Sequence, residues 1–189
     1  MTAGAPLPDP KDELLSHLSD LRGFAMSLTR NRAAADDLTQ ESILKAWKNI
    51  RKFEPGTNMK AWLFTIVRNT YYSDYRKKKR EVADVDGVFS DKLAVKPDHD
   101  GRLHLRDFRT AFETLPDEQR EVLILVGVQG FSYEEAAATA GIAIGTVKSR
   151  LNRARERLSQ ILELGPDQKM ELTDDVTISV VHQDQSLPA

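Results

Sequence analysis

Apolar side chains recur along most of this chain at intervals of three and four, the spacing that gathers them on one face of a helix. The first such run carries Leu14, Leu18, Leu21, Ala25 and Leu28. Asp9 is a capping residue and Pro10 suits a first helical position, so the pattern predicts one helix from there to Asn31. A second helix is expected from about Ala33 to Arg51, with Thr39, Ile43, Ala46, Trp47 and Ile50 on its core face. Phe53-Glu-Pro-Gly-Thr-Asn58 then breaks the pattern with a Pro-Gly pair, which marks a loop. Asn58 is placed to cap a third helix reaching about Arg80, apolar in its first half (Leu63, Phe64, Val67, Tyr71) and basic in its second.

Between Glu81 and Gly101 the periodicity fades and turn formers gather at Pro97-Asp98 and Asp100-Gly101, as in a linker. Helical spacing returns from Leu103 to about Glu113. Thr114-Leu-Pro-Asp117 offers a capping box for an apolar helix ending near Gln129-Gly130. Ser132-Tyr-Glu-Glu135 offers another, for a short helix to Ala140; Gly141 permits a left-handed turn, and a last helix runs from Gly145 to Leu164. Val176 to Val181 is one short strand or nothing regular. The expected fold is all-α: two small helical domains, 10–80 and 103–164, joined by an acidic linker over 81–102 and followed by an acidic tail over 165–189.

A length of 189 residues accommodates two small domains, not a large multidomain enzyme. There is no cysteine, hence no disulfide, zinc-thiolate site or thiol nucleophile, and a reducing cytoplasm fits. No apolar run approaches the ~20 residues that span a bilayer, and MTAGAPLPDPKDE has no signal-peptide pattern, so neither secretion nor a membrane span is expected. The net charge of -2 is unevenly spread: residues 68–80 carry six basic and one acidic side chain, residues 145–158 five and one, and the stretch between them six and thirteen. Two short basic blocks flanking an acidic stretch point to two polyanion-binding surfaces.

Three features carry chemistry. Tyr133 to Arg157 has the form of a helix-turn-helix: a short Ala-rich helix, a Gly turn, and a second helix in which Val147, Leu151 and Ala154 face inward. Thr146, Lys148, Ser149, Arg150, Asn152, Arg153 and Arg157 supply donors to bases or phosphates, unless this is an ordinary solvated basic helix. Arg68 to Arg80 interleaves aromatics with cations, as a single strand with exposed bases requires; Trp62, Tyr72 and Tyr75 are the stacking candidates, unless they are core. Asp37, Gln40, Glu41, Leu44 and Lys48 share the face opposite the core on the second helix, a docking stripe for a basic partner helix or else a solvated face. Catalysis is not supported: His17, His99, His104 and His182 lack metal-ligand spacing, adjacent Asp36 and Asp37 diverge by about 100° on a helix, and no phosphate loop is present. No cofactor or metal is expected.

In this order the three features resemble the extracytoplasmic-function (ECF) group of sigma factors, two-domain promoter-recognition subunits of bacterial RNA polymerase. Asp36-Asp-Leu-Thr-Gln-Glu-Ser-Ile-Leu-Lys-Ala-Trp47 is similar to regions 2.1 to 2.2, and Asn58-Met-Lys-Ala-Trp-Leu-Phe-Thr-Ile-Val-Arg-Asn69 with its basic extension to regions 2.3 to 2.4. Leu115 to Leu123 and Gly145 to Arg155 are similar to region 4. The resemblance implies that Asp37, Gln40 and Glu41, with Leu44 beside them, meet the clamp of the largest polymerase subunit. It further implies that Phe53, Thr57 and Asn58 of the loop, with Asn69, capture a flipped base of the downstream (-10) box, beside Trp62, Arg68, Tyr72, Tyr75, Arg76 and Lys77. The resemblance implies as well that the helix-turn-helix reads the upstream (-35) box and that the linker enters the RNA path. Gly141-Ile-Ala-Ile-Gly145 has Ala143 where many relatives have Ser or Pro, which weakens the helix cap; with Val126 to Tyr133 it is most similar to the general-stress subgroup, whose members are held by a small anti-sigma protein. Such an inhibitor is expected to wedge between the two domains. Two other classes fit parts of the pattern: a sigma-like module that titrates an anti-sigma protein without binding DNA, and a plain helix-turn-helix repressor.

Overall fold

A computed structural model describes residues 9–83 and 103–163, and the chain divides into two compact units, up to Arg76 and from Lys77 onward. Residues 84–102, which make up most of the expected linker, and the tail with Val176 to Val181 lie outside the described residues.

In the first unit α1 (Pro10–Ser16) starts as expected, with Asp9 accepting from the Lys11 amide at 2.9 Å and Pro10 in the first turn. The helix does not continue unbroken. His17 leaves helical geometry (φ -95°, ψ 1°), and α2 (Leu18–Thr29) restarts there. Nor does Asn31 end it: Arg30 does, in the left-handed conformation (φ 54°). Asn31 instead caps α3 (Arg32–Lys48), its side chain accepting from Ala34 N at 3.0 Å. One 3₁₀ turn (Ile50–Lys52) follows, and α4 (Met59–Ala83) runs three residues past Arg80. Leu14, Leu21, Phe24, Leu28, Leu38, Leu63, Phe64 and Val67 form the buried core, with Phe24 and Phe64 stacked at 4.7 Å. Each such side chain contributes roughly 1.5–3 kcal/mol of burial.

Ion pairs tie these helices. Lys60 of α4 meets Asp20 of α2 at 3.1 Å, and Arg22 of α2 grips Asp36 of α3 through two nitrogens at 2.6 and 3.2 Å. The Arg22 guanidinium holds the Asp36 carboxyl below its usual value, outweighing the opposing effect of desolvation. A carboxylate depressed in the folded state adds stability above its unfolded pKa and loses it as pH falls through the folded one. Asp36→Asn should therefore lower stability at neutral pH and flatten its decline below about pH 4. Denaturant midpoints against pH check this; parallel curves for the two proteins would contradict it.

The second unit contains α5 (Leu103–Glu113), α6 (Asp117–Leu123) widening into a π turn (Ile124–Val128), α7 (Tyr133–Ala140) and α8 (Ile144–Ile161). The expected capping box at Thr114 is not formed. The Thr114 hydroxyl donates back to Ala111 O at 2.7 Å, and Pro116 occupies the cap position, because a residue preceding proline is disfavoured in helical geometry and Leu115 cannot open the helix. Arg120 of α6 is buried and pairs with Asp117 in the same helix. The core draws on every helix: Phe108, Leu115, Val122, Leu125, Ala136, Val147, Leu151 and Leu158.

Candidate functional site

The stripe on α3 is exposed as expected. Ala35, Leu38, Thr39, Ser42 and Ala46 face the core, while Asp37, Gln40, Glu41, Leu44 and Lys48 face outward, Leu44 with 60% of its surface open. Asp36 points to Arg22 and Asp37 to solvent, so the two carboxylates do diverge. Trp47 corrects the reading that placed it in the core: it is 47% exposed, with the Lys11 ammonium 5.1 Å above its ring. Once Ala46 points inward, its neighbour stands about 100° round the helix, at the border of the stripe. Ile43 and Ile50 are only half-buried. Glu41 is paired with Lys45 at 2.6 Å, and Lys45 also donates to the Thr70 hydroxyl of α4 at 3.2 Å.

In the loop before α4, Phe53 is 6% exposed and its ring lies 5.5 Å from Trp62. This corrects its assignment to the nucleic-acid surface: Phe53 is core, and it supports Trp62. The Thr57 hydroxyl donates to Glu54 O at 2.7 Å across the turn at Gly56 (φ 88°), and Asn58 accepts from Ala61 N at 3.0 Å as the cap of α4. With Met59, Leu63, Val67 and Thr70 buried, helical spacing aligns Trp62, Asn69, Tyr72 and Arg76 on the outer side. Tyr75 is 54% exposed, Trp62 and Tyr72 are half-buried, and Asn69, Arg76 and Lys77 are exposed, so these aromatics are not core. Arg68 lies 4.7 Å over the Tyr72 ring, and Tyr71 contacts both Tyr72 and Tyr75. Flat rings bordered by cations are the chemistry that suits stacking of unpaired bases.

The second basic surface rests on a well-defined turn. Ser132 accepts from Glu135 N at 3.1 Å while Glu135 accepts from Ser132 N at 2.9 Å, and Gly141 (φ 63°) turns the chain between α7 and α8. Ala136, Ala137 and Ala140 pack with Val147, Leu151, Ala154 and Leu158. Outward stand Lys148, Ser149, Asn152, Arg153 and Arg157, with Thr146 half-buried; Ser149 donates to Thr146 O at 3.1 Å and Lys148 sits 5.6 Å over Tyr133. Arg150 departs from the expected base-reading set. Its side chain is 20% exposed and its guanidinium meets Glu118 of α6 at 2.8 Å, because position 150 flanks the buried face instead of opposing it. Glu118 is the residue that sequence reasoning missed here. Ala143 caps α8 without a side-chain hydrogen bond, so Ala143→Ser should add about 1 kcal/mol and raise the unit's melting point by about 4–8 °C. Thermal unfolding of the full chain checks this; an unchanged curve would mean that the bare amides are already satisfied.

Among the described residues no three potential ligands gather as a metal site, and no helix is long and apolar enough to cross a membrane. Family models match both units: Sigma-70 region 2 over residues 14–81 and Sigma-70, region 4, over residues 105–158. The chain belongs to the sigma-70 family. This sigma factor is 51% identical over 169 residues to the ECF RNA polymerase sigma factor EcfG of Rhodopseudomonas palustris, covering 86% of its own chain and 93% of the relative. It is 31% identical to the ECF RNA polymerase sigma factor SigM of Bacillus subtilis over 153 residues, 79% of this chain and 92% of the relative. Among solved structures it resembles the sigma factor RpoE of Bartonella quintana in complex with the anti-sigma factor NepR, with 51% identity, a TM-score of 0.71 and coverage of 84% and 98%. As an ECF sigma factor of the EcfG-like group, the protein directs initiation of transcription from specific promoters.

Proposed function

We propose that this sigma factor divides its work among three surfaces. The α3 stripe of Asp37, Gln40, Glu41 and Leu44, bordered by Trp47, docks on the basic clamp helices of the largest polymerase subunit. The outer side of α4, with Trp62, Arg68, Asn69, Tyr72, Tyr75, Arg76 and Lys77, receives the opened downstream box beside the Thr57-Asn58 loop. Lys148, Ser149, Asn152 and Arg153 of α8 read the upstream box, with Thr146 and Arg157 on the backbone. The protein is a non-catalytic specificity subunit of the cytoplasm, serving general-stress promoters. A small anti-sigma protein restrains it, as the complex of the Bartonella relative supports.

The observation that carries this reading is the exposed leucine amid carboxylates and an amide on α3, which a DNA-binding repressor has no use for. Mixing the full chain with core RNA polymerase and separating by size tests it. A stoichiometric complex that then binds promoter DNA is expected. DNA binding without polymerase capture would make the protein a repressor, and capture of an anti-sigma protein without either would make it a titrating module.

A further inference from the structure

The ammonium of Lys45 lies at a junction. It sits 2.6 Å from the outward carboxylate of Glu41, one turn back on α3, and donates to the buried hydroxyl of Thr70 on α4 at 3.2 Å. Glu41 belongs to the polymerase-facing stripe. Thr70 is flanked in α4 by Asn69 and precedes Tyr72 by two positions, both on the nucleic-acid side. One cation thus bridges the two surfaces within the first unit, and its three donors leave it room to hold both partners at once.

We propose that Lys45 is a positioning residue that fixes the register of α4 against α3, so that Asn69 and Tyr72 stand at set positions relative to the polymerase-held stripe. This rests on the reading of α3 as the polymerase face and α4 as the face for the downstream box. On this reading Lys45 acts through Glu41 and Thr70 and not by its own contact with polymerase or DNA. Its loss therefore loosens capture of the opened strand and leaves polymerase affinity nearly unchanged. Lys48, five residues before Phe53, has no such bridge among the described hydrogen bonds and ion pairs.

The test uses holoenzymes assembled from core polymerase and full-length variants, with a fluorescent promoter fragment whose downstream box is single-stranded, taken from a promoter that the wild-type holoenzyme transcribes. Lys45→Met keeps the aliphatic stem and removes the charge; Thr70→Val keeps the shape and removes the hydroxyl; Thr70→Ser keeps the hydroxyl. A half-exposed hydrogen bond to a charged group corresponds to about three- to tenfold in affinity. Lys45→Met and Thr70→Val should each weaken strand capture by about that factor, and the double variant by no more than either alone. Thr70→Ser should stay within about twofold of wild type, and core affinity should hold for every variant. Full strand capture by Thr70→Val, equal loss in Thr70→Val and Thr70→Ser, or additive losses in the double variant would overturn the bridge. A wild-type chain that captures no polymerase would overturn the underlying reading and take the bridge with it, and that failure is visible before any variant is compared.

Discussion

Glu41→Lys should weaken assembly with core polymerase by about ten- to a hundredfold while the circular dichroism spectrum stays that of the wild type. The local cost is small. The exposed pair with Lys45 is worth about 0.3–0.5 kcal/mol, and a like-charge neighbour four residues away removes a similar amount. A loss of the predicted size therefore has to come from a basic partner that meets a lysine where it expects a carboxylate. Gln40→Ala should act in the same direction and more weakly, since no charge is reversed. Unchanged affinity for both variants, with normal spectra, would mean that the α3 stripe is merely solvated.

The second large effect separates specificity from affinity on α8. Arg153 stands outward, on the side opposite Val147 and Leu151, and Arg153→Ala should cost about 1–3 kcal/mol and relax preference at one upstream base pair. Arg157 lies one turn further along and is the proposed phosphate contact. Arg157→Ala should weaken all promoters about equally and reduce the salt slope by about one, since a phosphate contact releases counterions whatever the sequence. Arg150→Ala should behave as neither: its link to Glu118 fastens α8 to α6, so the expected loss is in stability, and Glu118→Gln should reproduce part of it. Selection of bound sequences from a randomised upstream box, at two salt concentrations, distinguishes the three. A base preference altered by Arg157→Ala and not by Arg153→Ala would reverse the docking sense of the helix.

The helices were legible because their apolar positions follow the helical period and because the signals at Asp9, Asn58, Ser132 and Gly141 act locally. What was illegible depends on distant parts of the chain. Nothing in the sequence marks His17 as a break, since the leucine spacing continues through it. Trp47 reads as core on periodicity alone; its position is decided by Ser42 and Ala46, one turn apart, both packing inward and leaving Trp47 at the edge of that face. Phe53 looks like part of an exposed loop until Trp62 is seen beside it. Arg150 is indistinguishable from its donor neighbours without Glu118, thirty-two residues earlier in the chain. The exposed stripe of α3 and the outward donors of α8 were visible because each lies opposite a well-marked apolar face.

Transcription by core polymerase, with and without this chain, from a library randomised over both promoter boxes tests the central claim most directly. The account predicts transcripts only when the chain is present, from templates enriched in two short sequence blocks at a fixed separation. Enrichment of no block, or of the upstream block without transcription, would contradict it.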